Sequence, residues 1–569
     1  MALLGAAFQI GRSALAAYQS AVAVTGQNIA NVGNPDFTRQ TGRLTALHGG
    51  PTLGGARPGA GVALSQIRRH ADEALEARLR DQLGARSSAA ALYGSLSRTE
   101  SLYNELTGQD LSSLLSEFFA TVSALQTSPS DSTARDLVVA SADSLTDTLA
   151  RIREGLTRQA RDLNDEVAAG ADQVTALGAE IASLNVEVVR LESDGVTVAG
   201  ALRDRRDALL RDLSELVDIQ TRERDNGAVN VYLGSEPLVQ FDRSRGLAIE
   251  RTLVDGLETS ALRFADNGAS VLLRGGQLHG VVEARDVQLR DQLNRLDQLA
   301  GALIYEVNRI HADGVGLVGY SASLGAYSVV DPDAALNSAQ ADLNFPVQNG
   351  SFIVRVRDRN SGQVTSRLIE VDLDGLGADM SLNDLADALN GVPGLRAEVT
   401  ADNRLKLDAD QGAEFWFNED SSGAIAALGA APFFTGVNAS DIEVAGTLRN
   451  DRRLIAASLS GETFDGGNAG RLADLASTRA GSALLSGRSI GDFHAAMITD
   501  LAVRTASAEH SAEAADAVFQ SLYAQREAIS GVNLDEEAIN LTKFERAYQG
   551  AARYLTVLDD LSNEVLALV

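Results

Sequence analysis

Four sets of residues in this sequence have types and spacings that could do chemistry. Gly487, Ser489 and Gly491 in GRSIG match the nucleophile-elbow pattern, in which a strained strand-to-helix turn exposes a serine to a general base. No strand alternation precedes GRSIG, and the only histidines after it, His494 and His510, fall inside a stretch of helical periodicity. The segment therefore reads as a turn and helix start, with Asp492 near the positive end of that helix. Gly314, Gly316 and Gly319 in GVGLVG fit the dinucleotide fingerprint by letter. That motif needs a strand before it and a helix after it, and here a helix comes first, so a helix-terminating loop is expected.

The remaining candidates are ligand sets for cations. Asp372, Asp374 and Gly375 in VDLDG, and Asp408 and Asp410 in LDADQG, resemble fragments of calcium loops, but neither continues to the spaced oxygen donors and closing Glu of a full loop. They read as acidic turns at strand ends, with weak surface calcium binding as the residual alternative. The six histidines, His48, His70, His279, His311, His494 and His510, show no ligand spacing for a metal. No catalytic residue, cofactor site or metal site is expected.

Composition narrows the function further. The 569 residues carry 77 acidic and 49 basic side chains, a formal charge of -28, which repels nucleic acid and anionic lipid. Without cysteine there are no disulfides and no thiolate metal sites, so stability must come from packing and self-association. The apolar start MALLGAAFQIGRSALAAYQSAVAV is broken by Gln9, Arg12, Ser13, Gln19 and Ser20, too often for a membrane span. Its one basic residue lies inside the apolar run, unlike a secretory signal, so an uncleaved amphipathic helix is expected.

That helix has a narrow seam. Leu3, Ala7, Ile10, Ala14, Ala17, Ala21, Val24, Asn28 and Asn31 follow at alternating steps of three and four, the spacing of a heptad repeat. Gly33, Asn34 and Pro35 end it. At the other end Leu541, Phe544, Tyr548, Ala551, Leu555, Leu558, Val565 and Val569 lie on a second such seam, interrupted by Ser562. Helices of this length are marginal in water without a packing partner. They are expected to pair with each other, with neighbouring copies, or with both.

Between the ends the period changes several times. Helical periodicity runs from about Gln66 to Asp218, and alternation replaces it from Ile219 to about Leu273, as in AVNVYLG. A helix is predicted from about Val281 to His311. Strands recur from about Asp313 to Leu448 (SFIVRVRD, RLIEVDL, LRAEVT, RLKLDA, AEFWFNE) around a short helix at Leu382 to Leu389, and helical sequence resumes at about Arg449. The expected fold is multidomain: a terminal α-helical coiled coil (1–34 with 515–569) and an elongated helical trunk (35–218 with 274–312 and 449–514). A small antiparallel β subdomain (219–273) and an outer α+β insertion domain (313–448) complete it.

Two blocks are more specific than periodicity. ALAAYQSAVAVTGQNIANVGNPDFTRQ (Ala14 to Gln40) resembles the signature of flagellar axial proteins, in which a heptad helix ends in Asn-Ile-Ala-Asn, here Asn28 to Asn31, followed by an aromatic and Arg-Gln, here Phe37, Arg39 and Gln40. GVNLDEEAINLTKFERAYQGAARYLTVLDDLSNEVLAL (Gly531 to Leu568) is similar to the C-terminus of the hook-associated protein 1 family, the hook–filament junction proteins. LRDRRDALLRDLSELVDI (Leu202 to Ile219), GAVNVYLG, and LDQLAGALIYEVNRIHADGVGLVG (Leu296 to Gly319) also resemble that family, whereas Ser351 to Phe434 matches only loosely. Glu545 stands where the family commonly has Gln, Gly550 where it commonly has Ala, and Asn34-Pro35-Asp36-Phe37 replaces Thr-Pro-Gly-Tyr. Gly550 should loosen its helix by about 0.5 to 1 kcal/mol.

The resemblance implies a structural component of the bacterial flagellum rather than an enzyme. It implies a secreted, extracellular protein, exported unfolded by the flagellar type III apparatus and assembled at the hook tip as the adaptor between hook and filament. The implied partners are further copies in a ring or helical assembly, hook protein, the next junction protein toward the filament, and an export chaperone at the C-terminal region. Neither nucleic acid nor a membrane span is implied. The seam residues from Leu3 to Asn31 and from Leu541 to Val565 are the expected assembly interface. A hook or rod protein is the nearer alternative, but it would lack DEEAINL and the LRDRRD helix. An extracellular hydrolase or glycan-binding protein would rest on GRSIG and the outer sheet.

Overall fold

Residues 2–30 carry a single charge, Arg12, and no proline, and they form one uninterrupted helix, α1 (Ala2–Ala30), in a computed structural model of the chain that describes residues 2–48, 59–103, 110–193, 198–254, 256–476 and 481–567. An antiparallel hairpin follows, β1 (Gln40–Leu47) with β2 (Gly61–Arg69). The helical stretch expected from Gln66 thus begins later, at α2 (Glu73–Tyr103). Strand β2 is set by its partner β1 about twenty residues back, a pairing invisible to a local helical period. Next come α3 (Leu111–Thr127), α4 (Ser132–Leu191) and α5 (Gly200–Leu216).

The alternating region forms β3 (Gln220–Glu223), β4 (Val229–Leu233), β5 (Glu236–Gln240) and β6 (Arg243–Ser244) as one antiparallel sheet, and β7 (Leu247–Val254) with β8 (Leu257–Phe264) as another. The helix predicted from Val281 starts earlier, as α6 (Gln277–Glu283), passes through a π-helical segment (Ala284–Leu289) and continues as α7 (Arg290–Ala312). The outer strands are β9 (Ala322–Leu324), β10 (Gly350–Asp358), β11 (Val364–Val371), then α8 (Leu382–Asn390), β12 (Leu395–Val399), β13 (Leu405–Ala409) and β14 (Ala413–Asn418). Smaller elements are α9 (Ala424–Leu428), β15 (Phe434–Thr435), β16 (Glu443–Val444), α10 (Gly446–Asn450) and α11 (Gly467–Asp474). The chain ends in α12 (Ile490–Ser530) and α13 (Leu534–Ala567). Continuous helix was expected from Arg449, but turns and short helices occupy much of 451–489. There Asp465 accepts from Leu459 N, Ser460 N and the hydroxyls of Ser458 and Ser460, folding a turn that a helix cannot share.

The chain divides into two compact units, one of residues 1–95, 161–285 and 506–569, the other of 96–160 and 286–505. In the first unit α4 buries Leu163, Val167, Val174, Ile181 and Val188 along one face, with Leu213 of α5, Val231 of β4 and Leu278 of α6 also fully covered. Glycines allow the closest approaches: a side chain on Gly170 would strike Leu278, and Gly276, at φ +84°, would bring a Cβ within 2.5 Å of the Leu216 and Val217 backbone. In the second unit Phe118, Phe433 and Phe434 form a buried cluster with ring centroids 4.8 to 5.8 Å apart. Each ring contributes about 1.5 to 3 kcal/mol of burial. Sheet order there is β11-β10-β14 and β12-β13-β9. Helix α8 opens with a capping box between Ser381 and Asp384.

Candidate assembly interface

The two heptad helices pair with each other. Among the seam residues Ala17, Ala21, Val24, Asn28 and Leu558 are buried, and Ala7, Ile10, Ala14, Asn31, Leu541, Phe544, Tyr548, Ala551 and Leu555 are partly covered. Val565 is 40 % exposed. The side chain of Leu3, and Val569, lie outside the described residues. The tightest approach falls at Gly11, a residue off the predicted seam: a Cβ there would lie 2.5 Å from Leu555 Cδ2 and 3.2 Å from the Tyr554 ring. Alanine and glycine on α1 thus let Leu555 pack almost on the backbone. The hairpin lies against the same helix, where Val62 N–H donates to Ser13 Oγ at 3.3 Å.

The N-terminal and C-terminal signature blocks meet at Glu537, whose side chain is 2 % exposed. Its Oε2 accepts from Asn28 Nδ2 at 3.0 Å, and its Oε1 from Arg39 Nε at 2.9 Å. The Arg39 guanidinium also reaches Glu536 at 2.8 Å. Asn28 is fixed by Gln40, accepting from its N–H at 3.0 Å and donating to its carbonyl at 2.7 Å. Two backbone bonds and one from a side chain close the ring: Arg39 N–H to Ser530 O, the Ser530 hydroxyl to His70 O, and His70 N–H to Arg39 O, at 2.7 to 2.9 Å. Burial and the adjacent Arg39 and Arg68 hold His70 below its ordinary pKa. Asn533 Oδ1 caps α13 through Asp535 N–H, and Asp535, Glu536 and Glu537 fill its first turn, where the helix dipole favours carboxylates. Glu537 and Arg39 stood in the quoted motifs but not on a heptad position, so periodicity passed over them.

The LRDRRD block joins the same unit. Asp204 and Asp207 both accept from Arg69 at the end of β2, at 2.5 and 2.6 Å. Arg211 pairs with Asp36 at 2.7 Å and lies 3.6 Å from Glu76, which also receives Arg526 of α12. Arg206 is 1 % exposed and donates to Asn185 Oδ1 and Gly227 O, and Asn185 in turn brackets Val229 N–H and C=O. The three blocks therefore hold α1, the hairpin, α2, α4, α5 and α12 in one polar network.

The chemistry candidates take structural roles. Ser489 Oγ accepts from Asp492 N–H at 3.0 Å as the cap of α12. His494 is buried, with its pKa pushed down to about 4 by desolvation. In GVGLVG, side chains on Gly314 or Gly316 would collide with Asn468 and the Arg453 carbonyl, and one on Gly319 would crowd the Phe415 carbonyl at 3.0 Å. This loop ends α7 and pairs Val315 with Ser458, so the glycines serve backbone contact. Asp372 and Asp374 come within 4.8 Å of Asp379, but each accepts a backbone N–H of its own turn, from Asp374, Leu376 and Gly375 respectively. Asp408 instead contacts Lys406 at 3.1 Å. No helix among the described residues is long and apolar enough to cross a membrane.

Comparison with known proteins agrees with this reading. Residues 96–325 match the model of the flagellar hook-associated protein FlgK helical domain, and residues 525–568 that of the flagellar basal body rod FlgEFG protein C-terminal region. The chain is 26 % identical to flagellar hook-associated protein 1 of Salmonella typhimurium over 97 % of its length and 98 % of the relative's. Identity is 24 % to the protein of that name from Bacillus subtilis, over 98 % and 97 %. A solved structure of the flagellar hook junction protein FlgK from Burkholderia pseudomallei shares the fold, with a TM-score of 0.50 and 14 % identity, covering 80 % of this chain and all of that one. These matches, together with a terminal helix pair locked by the signature blocks, mark a structural component of the bacterial flagellum. Within that class the chain is similar over nearly its whole length to proteins named flagellar hook-associated protein 1.

Proposed function

We propose that the chain is a mechanical adaptor at the hook–filament junction, outside the cell, where copies in a ring or helical array join two assemblies of different curvature. The observation that carries this reading is the apolar face of α13. Leu558 is buried and Leu555 partly covered within the chain, while Tyr554, Val557 and Leu561 on the adjoining stripe stay 41 %, 56 % and 46 % exposed. One helix pair leaves that stripe partly in water, and a neighbouring pair covers it, at about 1.5 to 3 kcal/mol for each fully buried aliphatic side chain.

In this reading 1–34 with 515–569 line the inner tube, and the seam residues keep each pair intact while the exposed stripe meets the next copy. Hook protein lies on one side and the next junction protein toward the filament on the other. An export chaperone shields the C-terminal region before assembly. Passage through the export apparatus in unfolded form is consistent with a chain that holds no cysteine. The test is Val557→Asp with Leu561→Asp. The double variant is expected to keep wild-type far-ultraviolet circular dichroism and to fail to restore swimming in a strain lacking the protein. Normal swimming with normal junction incorporation would overturn the proposal.

A further inference from the structure

The first unit holds a cavity of about 310 Å³ lined by the start of α2, by α5 and by the β3 and β4 strands. Arg69, Arg80, Arg203 and Arg206 are among its lining residues, together with Glu73, Glu76, Asp207 and Glu223, and the Arg206 side chain is 1 % exposed at its wall. The carboxylates are unevenly engaged. Asp207 is held by Arg69 at 2.6 Å, Glu223 by Arg203 at 2.8 Å, and Glu76 by Arg526 at 3.1 Å, while Glu73 is exposed at the first turn of α2.

Arg80 and Arg206 are left without a carboxylate at hydrogen-bond distance. Arg80 is 9 % exposed, and its Nη2 donates to Thr221 Oγ1 at 3.0 Å. Arg206 meets only neutral acceptors within 3.2 Å, its approach to Glu223 is 3.8 Å, and its buried Nε has no hydrogen-bond partner among the described residues. Burial lowers the pKa of both groups despite the surrounding acids. A buried cation whose donors meet no carboxylate directly is only partly compensated by acids nearby, and a guanidinium is best satisfied by an oxyanion bound through paired N–H donors.

We propose that this cavity is a binding site for a small tetrahedral oxyanion, of the size and charge of phosphate or sulfate, held by Arg80 and Arg206. The acids around it set its selectivity: a single compact anion can sit against the two guanidiniums that no carboxylate engages at hydrogen-bond distance, whereas an extended polyanion would run into Glu73, Glu76 and Glu223. The room suits an anion that keeps part of its hydration, since the volume well exceeds what one water molecule needs.

The experiment uses the full-length chain. Thermal unfolding and isothermal titration are followed with phosphate, sulfate, acetate and chloride at matched ionic strength. Phosphate and sulfate are expected to bind saturably at millimolar concentration and raise the unfolding temperature of the first unit, whereas acetate and chloride give only the common salt effect. Arg80→Gln should weaken phosphate at least tenfold. Glu73→Gln, at an exposed position that leaves folding intact, should tighten it about threefold by removing a repelling charge. Equal effects of all four anions would overturn the site. So would phosphate affinity unchanged in a folded Arg80→Gln, or unchanged in Glu73→Gln if Arg80→Gln does not fold.

Discussion

Replacing Glu537 by Gln isolates the contact that ties the two ends of the chain together. The carboxylate accepts at both oxygens, from Asn28 Nδ2 and from Arg39. Asn28 cannot turn to accommodate an amide, because Gln40 holds both its oxygen and its nitrogen. Whichever way the introduced amide points, its NH₂ opposes either Asn28 or Arg39. Breaking a buried pair from one side costs about 3 to 5 kcal/mol. Arg39 keeps Glu536 and is 18 % exposed, so the expected loss is about 2 to 3 kcal/mol. Since 1.36 kcal/mol is a factor of ten, amide exchange in residues 2–30 and 534–567 should quicken by roughly 30- to 150-fold. Hydrogen exchange read by mass spectrometry on the full-length chain measures it. The control is Glu536→Gln, at a side chain 57 % exposed, which should change exchange less than about fivefold. Equal behaviour of the two variants would refute the argument.

Three further outcomes follow from the same contacts. His311 is fully buried with its pKa pushed down to about 4 by desolvation, against the bond to Ala431 O, and its Nε2 must stay unprotonated to accept from Ala456 N–H. Its folded pKa lies below the unfolded value of about 6.5, so stability is full above about pH 6.5 and falls as pH drops toward about 4, by roughly 3 kcal/mol. Urea unfolding of the second unit at several pH values should show that slope, and His311→Gln should flatten it. Ser489→Ala should cost about 1 kcal/mol through the lost cap of α12 and leave swimming unchanged. Loss of an esterase activity in this variant would restore the nucleophile reading. Gly316→Ala drives a Cβ into the Arg453 carbonyl, and a loss of more than about 2 kcal/mol is expected from chemical denaturation of the second unit.

Much of this architecture was legible locally. Period-two alternation marked β10 to β14, and the short helix expected at Leu382 to Leu389 is there as α8. The β1–β2 hairpin was missed because its pairing spans a long connection, and the turns at 451–489 because their hydrogen bonds arise from side chains rather than from periodicity. The heptad seams named the helices that meet but not the residue that sets their approach, Gly11, since the absence of a side chain leaves no periodic mark.

From the sequence alone came the two heptad ends, the signature blocks and, with no cysteine, the exclusion of disulfide and thiolate chemistry, because each depends on residue type and short spacing. Only the tertiary structure decided that Asn28, Arg39 and Glu537, separated by some five hundred positions, form one buried contact. It alone distinguished the covered stripe of α13 from the open one. Burial and acceptor geometry belong to the folded neighbourhood of a side chain, and no one-dimensional pattern contains that neighbourhood.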